Sequence, residues 1–298
     1  MRLPRVLALV LVVGSVVLSA QTSLLTAEQR AQFHGPYSQP EEPFRLVGDV
    51  YYVGAKNIAS YLITTPEGHI LIDTGTIEMA PVITANIQKL GFRVRDIKIM
   101  LSSHAHFDHI GGHAAMKKAT GAQVMAIRQD AEALEAGVDK SPLGDEGWQP
   151  VKVDRVLSDG DTVMLGDTTL RAVWAPGHTP GCTVWTTSVP DAGRTYALAI
   201  FGCGGPNAGV KLAGNQKFPT LVDDTLATFR KLKMLKPDIY VTGHPQMLFA
   251  AKINRMKAGE RPHPLLDPGA QGWAKMLDDA ETNFMKRVES ERTKAGNR

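Results

Sequence analysis

Ser103-His104-Ala105-His106-Phe107-Asp108-His109 sets three histidines and an aspartate within six residues. With 9 His among 298 residues, the pattern H-x-H-x-D-H arises by chance in roughly 5 of 10,000 chains of this size and composition, so it calls for a chemical reading. Upstream, Asp96-Ile97-Lys98-Ile99-Met100-Leu101 reads as a buried strand, and residues 110–118 as the start of a helix. The histidines therefore fall on a strand-to-helix loop, whose irregular backbone can turn several side chains toward one point. Neutral imidazole and carboxylate are ligands that zinc accepts. His104 and His106 can share one ion while Asp108 and His109 face another, and the remaining ligands must come from elsewhere.

Two further histidines sit in the same setting of strand, glycine- and proline-marked turn, then His. They are His178 in Ala175-Pro176-Gly177-His178-Thr179-Pro180-Gly181 and His244 in Val241-Thr242-Gly243-His244-Pro245. His178 would complete a three-histidine site with His104 and His106, leaving the fourth zinc position for water. His244 would join Asp108 and His109 on a second ion. Asp73, ending the buried run Leu71-Ile72-Asp73, suits a structural role, bonding loop backbone or the free N–H of a ligand histidine. His34, His69, His113 and His263 lack this setting and are expected at the surface or behind the ligands.

Around these turns the patterning predicts strands at 44–47, 50–53, 58–64, 69–75, 122–126, 161–165, 168–174, 183–187, 196–201 and 238–242. Helices are predicted over 78–90, 130–136, 222–232 and around 249–257, with an amphipathic terminal helix presenting Trp273, Leu277, Phe284 and Val288 on one face. Residues 21–43, polar and bearing Pro36, Pro40 and Pro43, read as an extended arm. Residues 137–150, rich in Gly, Pro and charge, read as a mobile loop long enough to border a site. Strands then helices, twice over, imply an α/β fold of the α+β kind, with two sheets face to face and helices outside. No sharp linker divides residues 21–298, which are expected to form a single domain of two similar halves.

The chain is 43% hydrophobic and 21% charged, ordinary for a globular protein. Residues 1–20 combine a basic start (Arg2, Arg5), an apolar run too short to span a bilayer, and small residues at Ser19-Ala20, the layout of a secretory signal. Removing Arg2 and Arg5 lowers the formal charge of +3 to +1, which argues against a nucleic-acid partner. No membrane partner is expected after cleavage, and the chain is expected to act as a monomer on a small molecule. Cys182 and Cys203 are the only cysteines, too few for a disulfide framework.

The motif at 103–112, Pro176-Gly-His-Thr-Pro-Gly181, Gly68-His-Ile-Leu-Ile-Asp-Thr-Gly75 and Phe44-Arg-Leu together resemble the metallo-beta-lactamase superfamily, closest to subclass 3 of the class B enzymes. The resemblance runs from about Tyr37 to the terminal helix. It implies a four-layer αββα sandwich, two zinc ions, periplasmic export, and hydrolysis of the β-lactam ring by a metal-bound hydroxide, conferring antibiotic resistance. By that resemblance, the zinc on His104, His106 and His178 polarises the lactam carbonyl. The zinc on Asp108, His109 and His244 stabilises the departing nitrogen, and Asp108 is the catalytic group that orients the hydroxide.

One stretch departs from the pattern. Gly202-Cys203-Gly204-Gly205 has neither the bridging aspartate of many hydrolases in the superfamily, which counts against a glyoxalase-type thioesterase, nor the substrate-docking serines of subclass 3. Cys203 could ligate the second zinc, pack as a small residue, or pair with Cys182; the substrate carboxylate could find Lys211 or Cys203 instead of a serine. A dizinc hydrolase of another small cyclic ester or amide, and an exported zinc-binding protein without catalysis, are the alternative functions.

Overall fold

The alternation of apolar residues along the strands divides them between two packing surfaces, and that division builds the fold. In the computed structural model, which describes residues 26–144, 146–202 and 204–296, β1 (Phe44–Val47), β2 (Val50–Tyr52), β3 (Tyr61–Thr65), β4 (Gly68–Ile72), β5 (Ile97–Leu101), β6 (Gln123–Ile127) and β7 (Arg155–Leu157) form one sheet in sequence order. The second sheet has the order β12 (Ile239–Thr242), β11 (Arg194–Phe201), β10 (Thr183–Asp191), β9 (Thr168–Trp174), β8 (Thr162–Leu165). Both are mixed: β1 to β4 are antiparallel and β4 to β7 parallel, while only β12 runs parallel to its neighbour in the second.

Ile70 and Ile72 of β4 face the other sheet, in a core with Tyr61, Trp185, Ile200 and Val241, while Leu71 between them faces outward. The outward face of the first sheet is covered by α2 (Met79–Lys89), α4 (His113–Thr120) and α5 (Arg128–Ala136), through Ile83, Ile87, Met116 and Leu134. The second is covered by α6 (Leu221–Lys233) and α8 (Gly269–Gly296), through Phe229, Leu232, Trp273 and Phe284. This is the four-layer αββα sandwich, with the inter-sheet core at its centre. The face predicted on the terminal helix, Trp273, Leu277, Phe284 and Val288, is buried.

The structure differs from the sequence expectations at four places. The arm is not wholly extended: Ala27–His34 is a helix, α1, capped at Thr26 by a reciprocal capping box with Gln29, which satisfies its first free N–H groups. The histidine loop is not wholly irregular, because Phe107–Ile110 is a turn of helix, α3, with α4 following. β7 was not anticipated; it is a three-residue edge strand with Val156 exposed, too short to show a period. The region predicted as one helix around 249–257 is a 3-10 turn leading into α7 (Ile253–Lys257). The proposed signal at residues 1–20 lies outside the described residues, and among the described residues no helix is long and apolar enough to cross a membrane.

Candidate metal centre

The turns that follow β4, β5, β9, β11 and β12 meet at one end of the sandwich, because backbone bonds tie one half to the other there. Thr183 N donates to Ser103 O (2.7 Å), Ala59 N to Gly243 O (2.8 Å), and Trp185 Nε1 to Ser102 O (3.0 Å). The Tyr61 hydroxyl, from the first sheet, donates to Thr242 O of the second. These ties bring the imidazoles of His104, His106 and His178 to 4.6–4.8 Å between ring centroids, with their donor nitrogens within 4.8 Å of one another. His109 lies 3.9 Å from His104 and 5.1 Å from His244 between ring centroids. The Asp108 carboxylate oxygen Oδ2 is 3.7 Å from His109 Nε2 and 3.6 Å from His244 Nε2. All six residues therefore share one pocket, and His104 stands close to both groups.

A hydrogen bond on the outer nitrogen of each ring decides which nitrogen carries a lone pair inward. Ser103 Oγ donates to Asp73 Oδ2 (2.6 Å) and so accepts from His104 Nδ1–H (3.1 Å), leaving Nε2 free. Ser141 Oγ donates to Asp139 Oδ2 (3.1 Å) and accepts from His106 Nε2–H (3.0 Å), leaving Nδ1. His178 Nδ1–H donates to Gly205 O (3.0 Å), His109 Nδ1–H to Asp73 Oδ2 (2.9 Å) and His244 Nδ1–H to Asn57 O (3.3 Å). Two consequences test the fit to metal. His104 Nε2 is buried with no hydrogen-bond partner, and His109 Nε2 faces His244 Nε2 at 3.3 Å. With both Nδ1 protons committed elsewhere, two lone pairs at that separation repel unless something electropositive, a proton or a cation, lies between them. The donor set of imidazoles and one carboxylate suits zinc.

The electrostatics keep four of the five rings in the neutral, ligand form. Burial, then the imidazoles around it, push His104 well below its ordinary value. Burial takes His106 down to about 4 against the pull of Asp108, and His178 down to about 3 with His106 adding to the effect. His244 is lowered, chiefly by burial and then by His109. Burial alone would lower His109 as well, but the Asp108 and Asp73 carboxylates outweigh it and raise that ring. Burial would raise Asp108, and the surrounding imidazoles of His109, His244 and His106 instead hold it below the usual carboxylate range.

The sequence pattern of the metallo-beta-lactamase superfamily matches residues 53–244, which takes in every one of these side chains. The chain belongs to the metallo-beta-lactamase superfamily. Solved metallo-beta-lactamases resemble it over nearly their whole length. FEZ-1 of Legionella gormanii is 35% identical with a TM-score of 0.82, covering 86% of this chain and 98% of that one. BJP-1 of Bradyrhizobium japonicum, a subclass B3 enzyme, is 40% identical with a TM-score of 0.80, covering 89% and 99%. Among curated relatives, a hydroxyacylglutathione hydrolase of Rhodospirillum rubrum is 30% identical over 103 residues, 35% of this chain and 33% of that protein. A probable metallo-hydrolase of Burkholderia pseudomallei is 33% identical over 115 residues, 36% of each. The alignment thus spans about a third of the length of these two relatives.

Several residues of this metallo-beta-lactamase-type site were not singled out by sequence. Asp130, buried in the first turn of α5, accepts from Ala105 N (2.8 Å) and Thr179 Oγ1 (2.8 Å) on Oδ2 and from Gly181 N (2.7 Å) on Oδ1, joining the H-x-H turn to the His178 turn. Burial lifts its carboxyl to about 6 against those three donors. Ser141 and Asp139 belong to the loop expected to border the site, and they do so by holding His106. Asp73, by contrast, was expected to bond loop backbone or the free N–H of a ligand histidine, and it does both: it accepts from Ser103 N (2.7 Å) and Ser103 Oγ, the hydroxyl that orients His104, and from His109 Nδ1.

Other expectations fall elsewhere. Lys211 lines a cavity of about 950 Å³ shared with Arg287, Glu291 and Arg292, and none of the six residues expected to hold metal lines it. Cys203 lies outside the described residues; Cys182 is disulfide-bonded and buried beside Val184 under α6 and α8. None of His34, His69, His113 and His263 is at the surface, since each is 7% exposed or less. His34 stacks on Phe107 at 4.9 Å and is bonded by Glu78 and Glu146, while His113 Nδ1 is 2.7 Å from Thr74 Oγ1. Their imidazoles are buried because neighbouring carboxylates, a hydroxyl or a carbonyl satisfies at least one ring nitrogen in three of them; His69 Nδ1 has no such partner.

Proposed function

We propose that the protein hydrolyses the amide bond of β-lactam rings, with two zinc ions held by His104, His106 and His178 and by Asp108, His109 and His244. The observation that carries this reading is the meeting of five imidazoles and one carboxylate, lone pairs inward, in a chain 35–40% identical to FEZ-1 and BJP-1 over 98–99% of their lengths. When bound, zinc supplies electrophilic assistance to a carbonyl and lowers the pKa of water from 15.7 to about 7. The chain's own part is to hold, orient and carry protons. Ser103, Ser141 and the Gly205 carbonyl fix the three rings around one ion, so little reorganisation is needed as charge develops. Asp108, kept ionised by its imidazole neighbours and with Oδ2 turned toward His109 and His244, accepts a hydrogen bond from the attacking water on its other carboxylate oxygen, takes its proton, and delivers it to the nitrogen released when the carbonyl carbon–nitrogen bond breaks. Water is thereby added across the amide, oxygen to carbon and proton to nitrogen. In the same reading, residues 1–20 direct export to the periplasm, the mature chain works as a monomer, and its action confers β-lactam resistance.

A second reading, hydrolysis of a glutathione thioester, is favoured by the curated hydroxyacylglutathione hydrolases; the absence of an aspartate in Gly202–Gly205 weighs against it. Steady-state rates of zinc-loaded protein on a chromogenic cephalosporin, an acyl-homoserine lactone and an S-acyl-glutathione separate the three chemistries. The lactam is expected to turn over fastest, with His178→Ala lowering its rate by more than about 100-fold. Negligible lactam turnover by protein carrying two zinc ions rejects the proposal.

A further inference from the structure

The acceptor that fixes His178 is a backbone carbonyl in a segment with no helix or strand among its described residues, between β11 and α6. What holds that segment comes from the far end of the chain. The Arg287 guanidinium, on α8, donates from Nη1 to Pro206 O (2.9 Å) and from Nη2 to Asn207 O (3.1 Å) and Val210 O (3.3 Å). One helical turn later, Glu291 Oε2 accepts from Leu212 N (2.7 Å) and Ala213 N (3.0 Å). Five bonds from two side chains on one face of α8 therefore tether residues 206–213, starting at the residue next to Gly205. The helix itself is anchored by Trp273, Leu277, Phe284 and Val288 in the core it shares with α6 and β12.

We infer that Arg287, assisted by Glu291, is a positioning residue for His178: by immobilising residues 206–213 it aims the Gly205 carbonyl at Nδ1 and so fixes the ring with Nε2 toward His104 and His106. The inference rests on the proposed role of His178 as a zinc ligand. Arginine suits the task because its planar fork can reach several carbonyls at once, which a lysine ammonium on a single flexible stem does less well. Gly205, at φ +97°, has the backbone freedom of glycine, so its carbonyl is held in place by the restraint on the residues that follow it. Loss of the clamp leaves His178 free to exchange tautomers and weakens one of the two metal groups selectively, whereas a purely structural clamp would affect both alike.

The test uses R287A, R287K and E291A in the full chain, with two readouts. In metal-free protein, long-range proton–nitrogen NMR of the His178 ring is expected to show the Nδ1–H tautomer in the wild type and a mixture in R287A. In zinc titrations against a competing chelator, R287A is expected to weaken the ion shared by His104, His106 and His178 by about 10- to 100-fold and the other by less than about twofold, with R287K and E291A between wild type and R287A. Wild-type tautomer and wild-type zinc affinities in these variants overturn the inference, even where thermal stability falls. Should R287A fail to fold, the same readings on R287K and E291A decide. If the wild type itself binds no zinc, the proposed function fails on that result alone, and the tautomer measurement still decides whether Arg287 positions His178.

Discussion

At Gly202 and Gly243 the candidate metal centre depends on the absence of a side chain. A Cβ at 202 would stand 2.5 Å from Ser103 Cβ and Oγ and 3.2 Å from His104 Nδ1, and one at 243 would stand 2.5 Å from His109 Cε1. Contacts that short force displacement of the ring or its orienting serine, at a cost of about 1–3 kcal/mol in stability. G202A is expected to release zinc first from the three-histidine group and G243A from the group containing His109, as measured by metal content after dialysis. Full retention of two zinc ions by either variant contradicts the geometry given for it. His113 supplies the pH dependence at this scale. Burial lowers its pKa to about 4, with Asp73 opposing, against about 6.5 in an unfolded chain. Below pH 6.5 the unfolded state binds the extra proton first, so this residue's contribution to stability is whole above pH 6.5 and is lost as pH falls toward 4, by about 3 kcal/mol in total. Urea unfolding of metal-free protein between pH 7.5 and 4 is expected to show a shallower decline in His113→Asn than in wild type; equal declines would remove His113 as the cause.

Among the elements, α5 bears most directly on the site, since Asp130 in its first turn links the turns after β5 and β9. Asp130→Asn keeps the size of the side chain but leaves one oxygen to serve three donors. The expected cost is about 1–3 kcal/mol in stability, with zinc affinity of the three-histidine group weakened about 10- to 100-fold. Thermal unfolding and chelator competition on the same samples check both; a stability loss without any change in zinc affinity would make Asp130 a structural tie only. Sequence revealed the turns but not what binds them together. His104, His106, His178 and His244 were legible because each follows an apolar strand through a short turn, a purely local signal. Asp130, Ser141, Gly205 and Arg287 were not, because their partners lie 25 to 81 residues away and only tertiary packing brings them together. The first helix carried a local signal that three prolines obscured, the Thr26-x-x-Gln29 box. In the edge strand β7, three residues of which only Leu157 is buried left no period to read.

At the scale of the whole molecule, the proposed metal ligands divide between the halves: His104, His106, Asp108 and His109 follow β5 of the first sheet, while His178 and His244 follow β9 and β12 of the second. Each proposed ion would therefore bridge the two sheets at one end, adding to the inter-sheet core and the backbone ties at Ser103 and Gly243. An ion that binds the folded chain and not the unfolded one stabilises it by an amount set by its concentration relative to its dissociation constant, about 4.1 kcal/mol at a thousandfold excess. For a domain of this size each kcal/mol moves the unfolding temperature by roughly 2–4 °C, so one tightly bound zinc is expected to raise it by roughly 8–16 °C. Scanning calorimetry of zinc-loaded protein, with and without excess chelator, measures that difference, and His178→Ala is expected to shrink it by removing a ligand contributed by the second sheet. If chelation strips the metal yet leaves the unfolding temperature unchanged, zinc binds unfolded chain as tightly as folded chain, and the arrangement of six preoriented ligands across two sheets loses its claim to be a metal centre.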